Sequence, residues 1–371
     1  MKEATGVDFL CAAYRRIAGW LCAAGKADSQ DDILRIRRQG SLEAGGEEVY
    51  CATNDGSRRM DDGGDPNSNR WPPGHVFINS IYASYQYPAA QKYQYPIVFV
   101  PGGGHSARVF DTTPDGREGW LTLFLREGFA TYGVDRVNTG RAGSDVGKII
   151  AVKLGLAPPS ELPVLKRYSE ESAWTTFRWG PEPGVPYPDT QFPIEAAKNY
   201  YPQTITQYWD PGESRKSVAG LLALLEKIGP ATLVTWSSAT LIGFLVAAER
   251  PDLVKGIVAV ETGVPSAVTH NGLDELRPEA LQSLAKVPTL IVIGDRAKNR
   301  SDAAGAFQKA VQALGGDVTV DVLPEAGIFG NGHTLMLERN NKEIMYRMID
   351  WLAARVYGKT PSRHRSGSPA R

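Results

Sequence analysis

The stretch ATLVTWSSATLIGFLVAAE, residues 231–249, sets the reading of the whole chain. ATLVTW is apolar and β-branched and reads as a strand, and the residues after Ala239 read as a helix running to Glu249. Only Ser237 and Ser238 lie between the two, so the backbone must turn sharply from strand to helix. In an open parallel sheet, reactive groups collect at the carboxyl ends of strands, which is where such a turn sits. A tight turn needs small residues two places either side of its apex. Ser237 has Thr235 and Ala239 there, whereas Ser238 has Trp236 and Thr240, so Ser237 is the better candidate nucleophile. Both glycines of G-x-S-x-G are missing, and a serine pair opening a helix also fits a helix cap.

Working outward, the same alternation recurs. HVFINSIYASYQY (75–87) reads as one or two strands, and PIVFVP (96–101) as a strand buried on both faces. REGWLTLFLREG (117–128) is amphipathic, FATYGVD (129–135) is a strand, and SRKSVAGLLALLEKIG (214–229) is a helix closed by glycine. GIVAVE (256–261), TLIVIGD (289–295) and VTVDVL (318–323) are further strands, with helices expected near 273–285, 302–314 and 335–356. Strands separated by helices require parallel pairing and right-handed crossovers, so the class is α/β with a mostly parallel, doubly wound sheet.

Four other regions break the pattern. Residues 1–73 read as an N-terminal extension, with DGSRRMDDGGDPNSNRWPPG as a loop or partly disordered segment. The core then occupies 74–143 and 212–357, and residues 144–211 form an insertion with many prolines and aromatic rings, expected to be a cap or lid. Packing the insertion onto the core is the alternative use for those rings. Residues 358–371 read as a disordered basic tail.

Composition narrows the class of partner. Lys plus Arg, 41, equals Asp plus Glu, 41, so no net field gathers nucleic acid or an anionic membrane. No window of 18 apolar residues suggests a membrane span. The three cysteines, Cys11, Cys22 and Cys51, lie near one end, so neither a disulfide framework nor a cysteine-based zinc site is expected. The apolar runs of the first 25 residues are split by Arg15 and Arg16, which favours a cytoplasmic over a secreted protein. Homodimer formation is left open.

A serine hydroxyl needs a base, usually histidine, and there are five. His75 precedes the core, His270 lies in a loop, His364 is in the tail, and His105 follows PGGG, where it would shape a loop. His333, in AGIFGNGHTLM after the last strand, is the candidate base. Two carboxylates at strand ends could orient it: Glu261, ending the strand after the nucleophile unit, and Asp295, one strand later. Oxyanion donors come from the glycine run after PIVFVP, with the Gly103 N–H acting alongside that of Ser238. A dinucleotide site is excluded by the absence of G-x-G-x-x-G with a ribose-binding acid, and neither a Walker motif nor a histidine–glutamate zinc motif is present, so no cofactor or metal is expected.

DTTPDGREGWLTLFLREGFATYGVDRVNTGRAGSD (111–145), SAWTTFRWGP, YPDTQFP, VETG and GIFGNGH together resemble the α/β-hydrolase superfamily, and more closely the bacterial and fungal esterases whose triad acid is a glutamate after the sixth strand. The resemblance spans about residues 75–356. It implies Ser237 as nucleophile, Glu261 as acid, His333 as base, and Gly103 and Ser238 as oxyanion donors. Four positions depart from that pattern: Pro101 and Trp236 stand where histidines are usual, and Ala239 and Thr240 replace a smaller pair. The implied activity is hydrolysis of a carboxylic ester, a lactone included, through an acyl-enzyme. Gly104, His105 and Trp236, with Trp174, Phe177 and Trp179 of the insertion, are the expected substrate contacts. Fold alone leaves open a lyase or transferase, or a catalytically silent ligand-binding protein.

Overall fold

The computed structural model describes residues 33–51, 74–153, 155–209, 212–262 and 278–359. The described residues from Ile36 onward belong to one compact unit, which carries everything that follows. Eight of its strands form one sheet: β1 (Ile36–Cys51), β2 (Gly74–Pro88), β3 (Ile97–Val100), β4 (Thr131–Asp135) and, beyond a small pair β5 (Val164–Lys166) and β6 (Gln207–Trp209), β7 (Ala231–Trp236), β8 (Val254–Val260), β9 (Thr289–Ile293) and β10 (Val318–Val322). Their spatial order is β1-β2-β4-β3-β7-β8-β9-β10. From β4 to β10 all neighbours are parallel, while β2 is antiparallel to both β1 and β4.

The period-two side-chain alternation of buried strands supplies a core to each face. Leu233, Ile257, Ala259, Ile291 and Ile293 pack with Leu221 and Leu225 of the helix Glu213–Ile228 and with Phe244 and Phe307. Val234, Trp236, Val258, Val260 and Val292 point the other way, toward Trp120 and Phe124 and toward Met345, Met348 and Leu352 of the helix Asn341–Arg355. Between β3 and β7 the winding reverses, because β4 lies on one side of β3 and β7 on the other. A reversal of that kind opens a crevice above the two carboxyl ends. The glycine run after β3 and the serine pair after β7 therefore meet there.

The N-terminal boundary needs correction. Ile36–Cys51, assigned above to an extension, is a full-length edge strand paired with β2 from Ile36 opposite Pro88 to Cys51 opposite Gly74. Among its residues of described burial only Ala44 is buried, and the strand carries charges and glycines in place of an apolar period. The remainder of that expected extension, at 1–32 and 52–73, lies outside the described residues, as do 360–371 of the tail.

Between β4 and the helix Glu213–Ile228, the insertion folds as short helices, including Gly147–Lys153, Glu170–Thr176 and Ala197–Tyr200, with β5 and β6 as an antiparallel pair apart from the main sheet. Ser169 caps Glu170–Thr176 with a reciprocal Ser169–Ser172 capping box. Trp179 stacks on Phe192 with centroids 3.7 Å apart and meets Tyr200 edge-on at 4.9 Å. These rings join the same core cluster as Trp120 and Trp236, so they pack the insertion onto the sheet domain. Among the described residues no helix is long and apolar enough to cross a membrane.

Candidate active site

Ser237 stands at the turn that the sequence required. Its φ is +55°, a left-handed conformation that a non-glycine residue adopts only when its surroundings hold it there. Those surroundings are its N–H, donating to Val260 O at 3.0 Å, and its carbonyl, accepting from Thr240 N at 3.1 Å. Ser238 makes no side-chain cap to the helix Ala239–Glu249, so the capping reading of the serine pair has no bond behind it. Ser237 is half-buried and Ser238 exposed, so solvent reaches both.

The imidazole of His333 places Nε2 2.8 Å from Ser237 Oγ and Nδ1 3.1 Å from Glu261 Oε2. Glu261 is fully buried at the carboxyl end of β8, and its other oxygen accepts the N–H of Gly294 at 2.6 Å. It too has a left-handed backbone, φ +50°. Burial alone would raise its pKa, but the hydrogen bond from His333 and the charges of Arg178 and Arg300 bring it down to about 2, so it is ionised. His333 is likewise buried; desolvation and the two guanidiniums outweigh the help of Glu261 and lower its pKa to about 4. Asp295, the other candidate acid, points elsewhere: its Oδ2 accepts the N–H of Gly330 at 2.9 Å and so fixes the loop leading to His333.

Neither arginine was legible as a site residue. Arg178, in the insertion, pairs with Glu261 Oε2, and its Nη2 lies 3.3 Å from Gly332 O and 3.2 Å from His333 Nδ1. Arg300 Nη1 donates to Glu261 O at 2.5 Å and Thr262 O at 3.2 Å. The sequence separations of 83 and 39 residues leave no local pattern by which to recognise these partners. Arg178 does fall within SAWTTFRWGP, but among aromatic residues that gave the segment its meaning.

The glycine run meets the serines at close range. A Cβ on Gly102 would lie 2.9 Å from Ser237 Cβ and 3.0 Å from the Trp236 ring, and one on Gly103 would lie 3.6 Å from Ser238 Oγ. The loop is held from behind: Arg136 Nη2 donates to Gly102 O at 3.2 Å, and Gly104 N–H donates to Gln207 Oε1 at 2.7 Å. Gln207 is a buried β6 residue that the sequence did not single out. The glycine loop thus approaches Ser237 at Gly102 and Ser238 at Gly103.

The expected substrate contacts fare differently. His105 is fully buried, with Nδ1 2.8 Å from Gly103 O and Nε2 2.7 Å from Tyr200 OH, which leaves no ring nitrogen for a ligand. It is a post for the glycine loop, and desolvation lowers its pKa to about 4. Trp174 and Trp179 are buried in the aromatic core, and the Trp179 indole N–H donates to Thr334 Oγ1 at 3.2 Å. Trp236 is equally buried and donates its indole N–H to His333 O at 2.7 Å. Phe177 is the insertion ring that reaches the site, lying against His333. Gly104 stays in the loop, its positive φ of 71° backed by the Tyr168 ring.

A solved structure described as a novel bacterial esterase is 32% identical to this chain, with a TM-score of 0.77, and the match covers 90% of this chain and 100% of that one. The chain belongs to that esterase's family, within the α/β-hydrolase superfamily. It is a carboxylic ester hydrolase. A protein from a fungal species (strain ATCC 74256), described as a "probable secreted lipase phiG", is 28% identical to this chain over 342 residues, which cover 80% of this chain and 92% of that protein. This relative corrects the cytoplasmic expectation: it is described as secreted, and the Arg15–Arg16 break on which that expectation rested lies outside the described residues. No family model matches the chain.

Proposed function

We propose that the esterase works through a Ser237–His333–Glu261 triad and an acyl-enzyme. One observation carries the reading: a single imidazole bridges Ser237 Oγ at 2.8 Å and Glu261 Oε2 at 3.1 Å. Such a bridge supplies what a neutral hydroxyl lacks, a base within hydrogen-bond reach and a carboxylate that fixes its tautomer. Ser237 Oγ attacks the ester carbonyl as Nε2 takes its proton, and Glu261 accepts from Nδ1–H and stabilises the imidazolium. The N–H groups of Gly103 and Ser238 hold the oxyanion, each contributing about 3 kcal/mol to the transition state. The imidazolium protonates the departing alcohol, and His333 then activates water to release the acid.

The substrate is a carboxylic ester, lactones included. Turnover of aryl esters, alkyl esters and lactones in ¹⁸O-water tests this reading. Hydrolysis places solvent oxygen in the acid product and depends on Ser237, with Ser237→Ala lowering kcat by about a thousandfold or more. Product free of solvent oxygen would instead point to lyase chemistry on the same fold.

A further inference from the structure

A carboxylate beside a histidine ordinarily stabilises the protonated ring and raises its pKa. Here the acid is outnumbered. One carboxylate, Glu261, faces two guanidiniums: Arg178 pairs with its Oε2, and Arg300 Nη1 lies 3.9 Å from the same atom. The same two groups lie beside the ring, at 3.2 Å and 3.5 Å from His333 Nδ1. The cluster therefore carries a net positive charge before the imidazole takes up a second proton.

Among the described residues no other group near the ring offsets that charge. Ser237 Oγ and the Phe177 ring flank the imidazole, and the Trp236 indole bonds the His333 carbonyl; all three are neutral. Behind the loop, Glu338 bonds Gly332 N at 2.9 Å and Asn331 Nδ2 at 2.5 Å, and burial pushes its pKa up to about 8, so it is neutral in acid. Asp295 is engaged at Gly330 N.

The two arginines are also fixed in position. Arg178 follows the helix Glu170–Thr176 with φ +60°, and Arg300 bonds the carbonyls of Glu261 and Thr262, clamping the chain where Glu261 itself has positive φ. We propose that Arg178 and Arg300 are positioning residues that hold Glu261 against the base and, through their joint charge, keep His333 unprotonated in acid, so that this esterase retains activity at pH values where an unaccompanied Glu–His pair is protonated. The proposal rests on the triad reading and assigns it a working range.

The test is the pH profile of kcat/KM for a short aryl ester, followed by chromatography of the product between pH 4 and 9, for wild type, Arg178→Gln, Arg300→Gln and Arg178→Lys. Each glutamine variant removes one positive charge, so the midpoint of its acid limb moves up by about one pH unit, and the ratio of activity at pH 4 to that at pH 8 falls about fivefold. Arg178→Lys keeps the charge and stays near the wild-type midpoint. Folded glutamine variants whose profiles superpose on wild type, slower by one factor at every pH, would show two merely structural arginines and overturn the proposal; Arg300→Gln decides the matter even where Arg178→Gln does not fold. Fluorophosphonate labelling at pH 8 separates the two layers. Adduct on Ser237 with an unshifted limb overturns only the arginine assignment, whereas wild-type protein without that adduct removes the triad reading beneath it.

Discussion

The backbone carbonyl of Phe177 accepts the N–H of His333 at 2.9 Å, and the phenyl ring lies within 12° of parallel to the imidazole, with centroids 6.0 Å apart. An insertion expected from sequence to be a lid thus supplies, at this residue, a fixed wall for the base. Phe177→Ala should cost about 3–5 kcal/mol in urea unfolding, because the ring is buried among Tyr200, Trp179 and Trp236. It should also lower kcat, since the wall that aligns the imidazole is gone. Unchanged kcat in a destabilised variant would mean that the ring packs without aligning.

Gly102→Ala tests the approach of the glycine loop to the elbow. The added Cβ meets Ser237 Cβ at 2.9 Å, closer than such atoms pack, and the Trp236 ring at 3.0 Å blocks escape. The expected result is a loss of kcat/KM of at least about tenfold in a protein that still folds, from displacement of the loop by a fraction of an ångström. Full activity would show that Gly102 has room to move.

Much of this arrangement was written locally. The elbow, the parallel strands of the sheet and the loop carrying His333 follow from short runs in which apolar residues, glycines and strand ends fall in order. Edge strand β1 was not legible, because its outer position buries little and so selects no alternating apolar residues. The rings were recognised but not their direction: Trp174 and Trp179 look alike in sequence whether they face a ligand or a core. The choice between Glu261 and Asp295, and the places of Arg178, Arg300 and Gln207, depend on contacts between distant segments, which no local pattern encodes.

The acid assignment separates cleanly by substitution. Glu261→Gln removes the charge that supports the imidazolium and should lower kcat by about three orders of magnitude. Asp295→Asn keeps an acceptor for the Gly330 N–H and should stay within about tenfold of wild type. The reverse order in folded proteins would make Asp295 the acid.

Glu338 predicts a pH dependence of stability with a definite sign. Its folded pKa is raised from the ordinary 4.5 to about 8 by burial, partly opposed by its bonds to Asn331 and Gly332. The folded state therefore binds the extra proton between these values. The stabilisation is complete below about pH 4.5 and is lost as pH rises through about 8. Glu338→Gln cannot ionise, so its melting temperature relative to wild type should climb from pH 5 to pH 9. A difference that stays level across that range would contradict a protonated Glu338.

The most direct measurement is the mass and site of adduct after brief exposure of the folded esterase to a fluorophosphonate, with Ser237→Ala and His333→Ala as partners. A Ser237 nucleophile activated by His333 predicts one adduct per chain, on the peptide containing Ser237, absent in Ser237→Ala and strongly slowed in His333→Ala. An adduct on any other residue, or a folded and active wild-type enzyme that takes up none, would contradict it.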